Sequence, residues 1–384
     1  MVGRILGWVI AVAATTVHVS FAYQYNNTVS NTVTFTNNPK GTLVVFGDSA
    51  ADNGNLDKAI GQQGMWYGHY SNGPMWNEFT AYMLNYTLKN YAFGGATASD
   101  VVEAPIRKGY RIPTYLDTID WYLKDNANLT QSEKDNTVIA INHGPNTLWW
   151  GMTENNFMGV SHNIINTVAA DLYKGIDMLY QGGYKKFVFI NLLNFRLKPV
   201  ETGPPPPGLA PEYAEKIGEY GAIAEDLMNS YIQQINLDID LQLPRFLSKH
   251  PNLVNFTVID NYEEVKELMH GPTLSALGIT DIDNACIFTG DYDPNMVVCE
   301  NPNSHYFYDQ YHPNVRVQAL QGIAVAEVIQ GKTAPKNLAQ RLIGIVKEYD
   351  LSQSKPGKNI IDTVTNLVLE KMKNKNSTKA TGSA

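Results

Sequence analysis

Residues 42–49 have the sequence TLVVFGDS, in which a short β-branched apolar run leads into Gly47, Asp48 and Ser49. A run of this kind, bounded by glycine on both sides, predicts a buried strand of an α/β sheet. In open α/β sheets the functional groups collect beyond the carboxyl ends of the strands. The sequence therefore places Ser49 where a nucleophile would stand, although Gly-Asp-Ser also forms ordinary turns.

Short apolar runs alternate with helical periodicity from residue 41 onward. The predicted strands cover residues 42–46, 88–92, 137–141, 186–191 and 255–259. The predicted helices cover residues 76–84, 113–124, 162–181, 212–241, 314–330, 337–349 and 360–373. This alternation predicts an α/β fold, a three-layer α/β/α sandwich with a central parallel sheet. Residues 272–307, rich in Asp, Asn, Pro and Gly, are expected to be irregular, and Pro204 to Pro207 mark a rigid surface loop.

Composition and the two ends of the chain suggest a secreted protein. The formal net charge is −8, and 44% of the residues are hydrophobic. The sequence has no basic cluster with interleaved aromatic residues, so a nucleic-acid partner is not expected. Residues 1–22 have the pattern of a signal peptide: Arg4, an apolar stretch too short to span a bilayer, and a small-x-small cleavage site. An uncleaved anchor is the alternative. The expected division is a leader or edge strand at 23–40, one domain at 41–330, and a helical C-terminal extension with a polar tail at 331–384.

Two further features fit an extracellular environment. In an oxidising compartment Cys286 and Cys299 are expected to form a disulfide rather than remain free, and no Cys/His spacing supports a metal site. Asn-x-Ser/Thr glycosylation sites are Asn26, Asn85, Asn128, Asn255 and Asn376.

A base for Ser49 is found near residue 312. A serine hydroxyl needs a histidine to take its proton, and the histidine needs a carboxylate to fix its tautomer. Asp309 precedes His312 by three residues, and Pro313 favours an extended backbone at His312, which holds the imidazole at a turn. A surface salt link between the two residues is the alternative interpretation.

Acyl transfer also needs donors for the developing oxyanion. Residues 90–96 overlap the second predicted strand and contain two adjacent glycines, where backbone N–H groups can approach a ligand. Residues 142–146 follow the third predicted strand and carry the carboxamide of Asn146. Each segment alone is an ordinary tight turn. Three such turns after successive strands predict a common site.

Together, residues 46–55, 90–96, 144–146 and 309–313 resemble, in order, the motif blocks of the GDSL, or SGNH, superfamily of serine esterases and lipases. The segment 70–76, YSNGPMW, is similar to a further signature of that superfamily. The resemblance covers residues 41–330 and is to secreted, fungal-type acylhydrolases and carbohydrate acetylesterases of the superfamily. It implies an SGNH-hydrolase, flavodoxin-like fold. The roles that it implies are nucleophile for Ser49, orienting acid for Asp309, base for His312, and oxyanion donors for Ser49, Gly95 and Asn146.

The chain departs from the family pattern at two positions. Ala50 stands where leucine usually follows the nucleophile, and this change should be tolerated because that side chain packs rather than reacts. Thr147 stands where an acid usually follows the asparagine of the third block. Because that acid commonly supports the turn, Thr147 brings the placement of Asn146 into question.

The implied function is a secreted serine esterase that hydrolyses lipid or carbohydrate O-acyl esters through an acyl-serine, without metal or cofactor. Trp149 and Trp150 are expected to face the substrate, by stacking on a sugar or lining an acyl channel. The C-terminal helices either contact a lipid surface or simply cover the domain. A lipid acyltransferase, or a non-catalytic carbohydrate-binding protein on the same fold, stays an alternative.

Overall fold

The computed structural model describes residues 30–61, 65–154, 159–195, 211–287, 298–332 and 337–381. The predicted signal peptide at 1–22, the acceptor site Asn26 and the proline run at 204–207 lie outside the described residues. Within the described residues, no helix has the length and apolar character that crossing a membrane requires.

A six-stranded sheet forms the centre of the molecule, with the strand order β1-β3-β2-β6-β7-β8. All of its strands are parallel except β1, which pairs antiparallel to β3 at one edge. Two short two-stranded sheets, β4 with β5 and β9 with β10, lie outside it. The strands are β1 (Asn31–Thr34), β2 (Gly41–Gly47), β3 (Tyr86–Asn90), β4 (Ile106–Arg107), β5 (Tyr110–Arg111), β6 (Thr137–Asn142), β7 (Lys186–Ile190), β8 (Asn255–Ile259), β9 (Asp281–Ala285) and β10 (His305–Phe307).

Helices cover both faces of the sheet, as the apolar runs of the strands predict. They are α1 (Asn55–Ile60), α2 (Trp76–Leu84), α3 (Tyr115–Asp125), α4 (Gln131–Asp135), α5 (Pro145–Glu154), α6 (His162–Gln181), α7 (Pro211–Lys249), α8 (Asn261–His270), α9 (Thr273–Leu277), α10 (Val315–Ile329), α11 (Leu338–Glu348) and α12 (Ile360–Thr381). Leu43 and Val45 of β2 join a core with α2 and α8 to α12. Val44 and Phe46 join a second core with α3, α5, α6 and α7. The predicted three-layer α/β/α fold is confirmed.

Several details differ from the sequence-based expectation. Within the leader at 23–40, the edge-strand alternative is realised as β1. Helix α7 continues past Pro244 to Lys249, because Phe246 is buried against Tyr173 and Phe256. Residues 272–307 are not irregular throughout, since they contain α9 and the parallel pair β9 and β10.

Candidate active site

Three turns meet at one edge of the sheet. Strand β2 lies between β3 and β6, and its register aligns Gly47 with Asn142 and Val45 with Asn90. The three strands therefore end close together. The turn with Ser49, the glycine turn after β3 and the turn with Asn146 are neighbours in space, as the sequence predicts.

Ser49, His312 and Asp309 form a hydrogen-bonded series. The Ser49 Oγ lies 2.7 Å from the His312 Nε2, and the His312 Nδ1 lies 2.7 Å from the Asp309 Oδ2. The Asp309 side chain is fully buried and also accepts the backbone N–H groups of Tyr311 and His312 at 2.8 and 2.7 Å. With the Nδ1 proton directed at the carboxylate, the Nε2 lone pair faces the serine hydroxyl. This is the tautomer that allows the imidazole to take the serine proton.

A tight turn presents His312 to the serine. The Tyr308 N–H donates to the His312 carbonyl at 2.8 Å, and Phe307 and Pro313 form an antiparallel bridge. Helix α10 begins only at Val315, with Asn314 as its N-cap. His312 therefore stands at a turn before the helix, as the position of Pro313 predicts.

The glycine turn is fixed to the nucleophile loop by Asp52. The Asp52 Oδ2 accepts the Gly94 N–H at 2.8 Å, and Gly95 has a φ of 79°, which favours glycine. The Trp150 Nε1 donates to the Gly95 carbonyl at 3.3 Å. The peptide groups on both sides of the Gly94–Gly95 peptide are therefore fixed by hydrogen bonds. The N–H of Gly94 is engaged by Asp52, which is consistent with Gly95 as the oxyanion donor.

Thr147 takes over an anchoring function in the third turn. Its Oγ1 is buried and accepts the Ala98 N–H at 2.8 Å, which ties the start of α5 to the segment after the glycine turn. The neighbouring Asn146 Nδ2 is buried and finds no hydrogen-bond partner among the described residues. Because Thr147 supplies an acceptor, its replacement of the usual acid leaves the turn supported.

Burial shifts the pKa values of Asp48, Asp52 and His143, which lie in or next to the turns of the site. It raises the pKa of Asp52 to about 7, against the opposing effect of the N–H groups of Gly94, Asn55 and Leu56. Burial also raises the pKa of Asp48 to about 6. Desolvation alone lowers the pKa of His143 to about 3, so this imidazole is neutral. Neither nitrogen of His143 has a partner within the described part of the chain.

Aromatic side chains lie beside His312. Trp149 is buried and packs against Phe195 and Tyr311, with ring centroids 5.9 and 5.6 Å apart. Trp150, by contrast, is half-buried and bonded to the glycine turn. The Tyr70 ring lies 4.9 Å from the His312 ring. Sequence reasoning missed Tyr70, Phe195 and Tyr311 as neighbours of the site; the 70–76 signature draws attention to Tyr70 but does not place it beside His312.

The other predicted positions are placed as follows. Cys286 and Cys299 form a disulfide, with an S–S distance of 2.10 Å, which confirms the predicted pairing. Asn128 and Asn255 are exposed and Asn85 is half-buried. The Asn376 side chain lies outside the described residues, and glycosylation at all these positions stays a prediction. Among the described residues, no group of three His, Cys, Asp or Glu side chains could hold a metal ion.

A serine hydroxyl, an imidazole and a buried carboxylate in series, at the carboxyl edge of a parallel sheet, define the arrangement of a serine hydrolase. The model of the GDSL-like Lipase/Acylhydrolase family matches residues 43–325. The chain belongs to this family of carboxylic ester hydrolases, which confirms the resemblance seen in the motifs.

Individual relatives are distant. The chain is 28% identical over 177 residues to the thermolabile hemolysin of Vibrio parahaemolyticus, a match that covers 44% of this chain and 38% of that protein. The extracellular lipase of Streptomyces rimosus has a TM-score of 0.33 at 14% identity, over 76% of this chain and 100% of the lipase. A carbohydrate esterase family 2 enzyme from Corynascus thermopiles (Myceliophthora fergusii) has a TM-score of 0.37 at 14% identity, over 76% of this chain and 66% of that enzyme's chain.

Proposed function

We propose that this protein is a secreted serine esterase that hydrolyses carboxylic acyl esters through a covalent acyl-serine. The observation that supports it most is the 2.7 Å contact between Ser49 Oγ and His312 Nε2, continued by His312 Nδ1 to Asp309. A hydroxyl at this distance from a neutral imidazole nitrogen can lose its proton as it attacks a carbonyl carbon.

In the proposed acylation step, the Ser49 oxygen bonds to the ester carbonyl carbon and its proton passes to His312 Nε2. Asp309 stabilises the imidazolium through its bond to Nδ1. The carbonyl oxygen becomes an oxyanion, for which the donors are the N–H groups of Ser49 and Gly95 and the Asn146 amide. The unpartnered Nδ2 of Asn146 supports this role, because it has a hydrogen to donate at the site. His312 then gives its proton to the departing alcohol.

Deacylation repeats these steps with water. His312 takes a proton from water as the water oxygen attacks the acyl carbon, and returns that proton to the Ser49 oxygen when the carboxylic acid leaves. No residue beyond the same series is required. An alcohol in place of water would give acyl transfer, which is distinguished by analysing the products in the presence of an added alcohol.

The substrate is proposed to carry its acyl group against the aromatic side chains beside the serine. The half-buried rings of Tyr70 and Tyr311, 4.9 and 6.1 Å from the His312 ring, give one side of the site an apolar surface, which fits an acyl chain or the face of a sugar. Hydrolysis of p-nitrophenyl esters from acetyl to palmitoyl separates these classes. An acetyl preference favours a carbohydrate O-acetyl ester, and a long-chain preference favours a lipid ester.

Replacement of Ser49 tests the assignment directly. We expect Ser49→Ala to lower kcat for p-nitrophenyl esters by at least ~10³-fold and to abolish labelling by a fluorophosphonate, because the hydroxyl bonded to His312 Nε2 is removed. Ser132→Ala, at an exposed serine on α4, is the matched control and should retain both. Circular dichroism checks that both variants are folded. Wild-type turnover in Ser49→Ala would disprove the acyl-serine mechanism.

A further inference from the structure

The segment Tyr70 to Trp76, which the reaction itself does not use, binds the chain on the far side of His312. The Ser71 hydroxyl donates to the Pro313 carbonyl at 3.2 Å, and the Asn72 Oδ1 accepts the Val315 N–H at 2.8 Å. Two side chains of this segment thus hold the backbone one and three residues after His312. Residues 70–76 and 312–318 are more than 200 positions apart in the sequence, so this contact exists only in the folded chain.

The contact completes the N-terminus of α10. The first N–H groups of a helix have no partner within the helix and need acceptors from elsewhere. The Asn314 Oδ1 accepts the N–H groups of Arg316 and Val317, and Asn72 accepts that of Val315. The first turn of α10, which begins three residues after His312, is therefore capped jointly by a local asparagine and by a distant one.

Helix α10 caps α2 in return. The Gln318 Oε1 accepts the Trp76 N–H, the first N–H of α2, at 2.9 Å. A methyl group on Gly73 would lie 2.5 Å from Val315 Cγ2, and one on Gly322 would lie 2.3 Å from the Trp76 carbonyl oxygen. The two helices are therefore held at close range by hydrogen bonds in both directions, with no space for either to slide.

The opposite end of this contact reaches the nucleophile loop. The Asn77 Nδ2, in the first turn of α2, donates to the Ala51 carbonyl at 2.7 Å, two residues after Ser49. Residues 72–77 thus bind the loop of the nucleophile at one end and the helix that follows the base at the other. The distance between Ser49 and His312 is set across this connection.

We infer that Asn72 is a positioning residue that holds His312 within hydrogen-bonding distance of Ser49, an inference that rests on the proposed function. Asn72 acts through the Val315 N–H and its 2.7 Å bond to Asn303 Oδ1, and it makes no contact with the reacting atoms. Removing the side chain leaves the Val315 N–H without its acceptor and frees the turn that carries the imidazole. A displacement of about 1 Å at a reacting group lowers a rate by about 10²-fold.

The test compares Asn72→Ala with Asn359→Ala, which removes a buried asparagine that also accepts a backbone N–H at a helix start, here that of α12. We expect both variants to lose stability, but only Asn72→Ala to lose ~10- to 100-fold in kcat and in fluorophosphonate labelling rate, with KM unchanged. Asn72→Asp keeps an acceptor for the Val315 N–H and should recover most of the loss. Equal kcat values for the two alanine variants, measured well below their unfolding temperatures, would overturn the inference.

A second readout separates this inference from the proposed function. With ¹⁵N-histidine labelling, the Nδ1 proton that His312 shares with Asp309 gives a downfield NMR signal, which needs no substrate. We expect that signal in the wild type and in Asn359→Ala, and its shift or loss in Asn72→Ala. If the wild type shows the signal but neither turns over esters nor reacts with the fluorophosphonate, the proposed function fails. If the signal is unchanged in Asn72→Ala, the positioning role fails.

Discussion

Side-chain amides and carboxylates, rather than apolar packing, give the nucleophile loop its shape. The Asn55 Nδ2 donates to the carbonyls of Asn90 and Ala92, both at 2.9 Å, and the Asn90 Nδ2 donates to that of Ala51 at 2.7 Å. The Asp52 carboxylate accepts hydrogen bonds from the N–H groups of Gly54 and Asn55, at the start of α1, and from that of Gly94 in the glycine turn. These bonds do not involve the side chain at position 50. Alanine at position 50 is therefore compatible with these bonds.

His143 makes stability depend on pH. Its pKa is lowered by burial to about 3 from the 6.5 of an exposed imidazole, so between these values only the unfolded chain binds the proton. Above pH 6.5 His143 is neutral in both the folded and the unfolded chain, and the stability that it contributes is fully present. That stability is lost as the pH falls from 6.5 toward 3. Between pH 7 and 4.5 the free energy of unfolding should fall by about 2–3 kcal/mol on account of this group.

The His143→Phe variant isolates that contribution, because Asp48 and Asp52 titrate in both proteins. Phenylalanine also replaces two unpartnered buried nitrogens and can pack against the Tyr115 ring. Urea unfolding at pH 7 and 4.5 should show a smaller loss of stability on acidification in His143→Phe than in the wild type. Parallel losses in the two proteins would mean that His143 is protonated when folded.

At the scale of elements, the regular strands and most helices could be predicted, because their local pattern and final environment agree. Strands β2, β6 and β7, for example, are largely apolar in sequence and buried in the sheet, whereas β3 and β8 are partly exposed. Strands β4, β5, β9 and β10 were missed, since two or three residues are too few for periodicity and the sequence DIDNA of β9 is polar. Helix α7 was predicted to end before Pro244, because local rules cannot include the burial of Phe246.

The catalytic series was predictable for the same reason: Ser49, Asp309 and His312 lie in short motifs whose backbone turns are local. The positions of Tyr70 and Asn72 beside it were not. Their partners, His312 and Val315, are brought to them by the packing of α2 on α10, and no local pattern states that contact.

The pair β9 and β10 connects the disulfide to the turn that contains Asp309 and His312. The N–H groups of Cys286 and Ile287 donate to the carbonyls of Phe307 and Tyr308 at 3.0 and 2.8 Å, immediately before Asp309. A double variant with both cysteines changed to serine should lose about 3 kcal/mol of unfolding free energy, measured in urea, because the disulfide closes a short loop. We also expect a lower kcat, since Asp309 follows the loosened strand. Wild-type protein treated with a reductant is the control and should match the variant; unchanged stability and kcat in both would contradict this prediction.

At the scale of the whole molecule, the C-terminal helices belong to the same core as the sheet. Leu342 and Ile345 of α11 and Val364 of α12 are buried in the cluster that contains Leu43 of β2. The apolar faces of these helices are therefore occupied by packing, α11 against α8, α9 and α10, and α12 against α2 and α10, as the covering alternative expects. Contact with a lipid surface stays a prediction for their outer faces. Because α10 follows His312, this layer also supports the helix next to the proposed base.

A chain that ends at residue 332 should consequently fail to fold stably. It would lose the apolar side chains that α11 and α12 bury on α2 and α10, each contributing about 1.5–3 kcal/mol, and several of these together reach the 5–15 kcal/mol stability of a typical domain. A chain that ends at residue 373, without the polar tail, is the matched control and should keep the wild-type unfolding temperature and kcat. Soluble yield, thermal unfolding and ester hydrolysis compare the two. If the chain ending at 332 is as stable and as active as the control, α11 and α12 form a separate module, and their inner apolar faces become free for another partner.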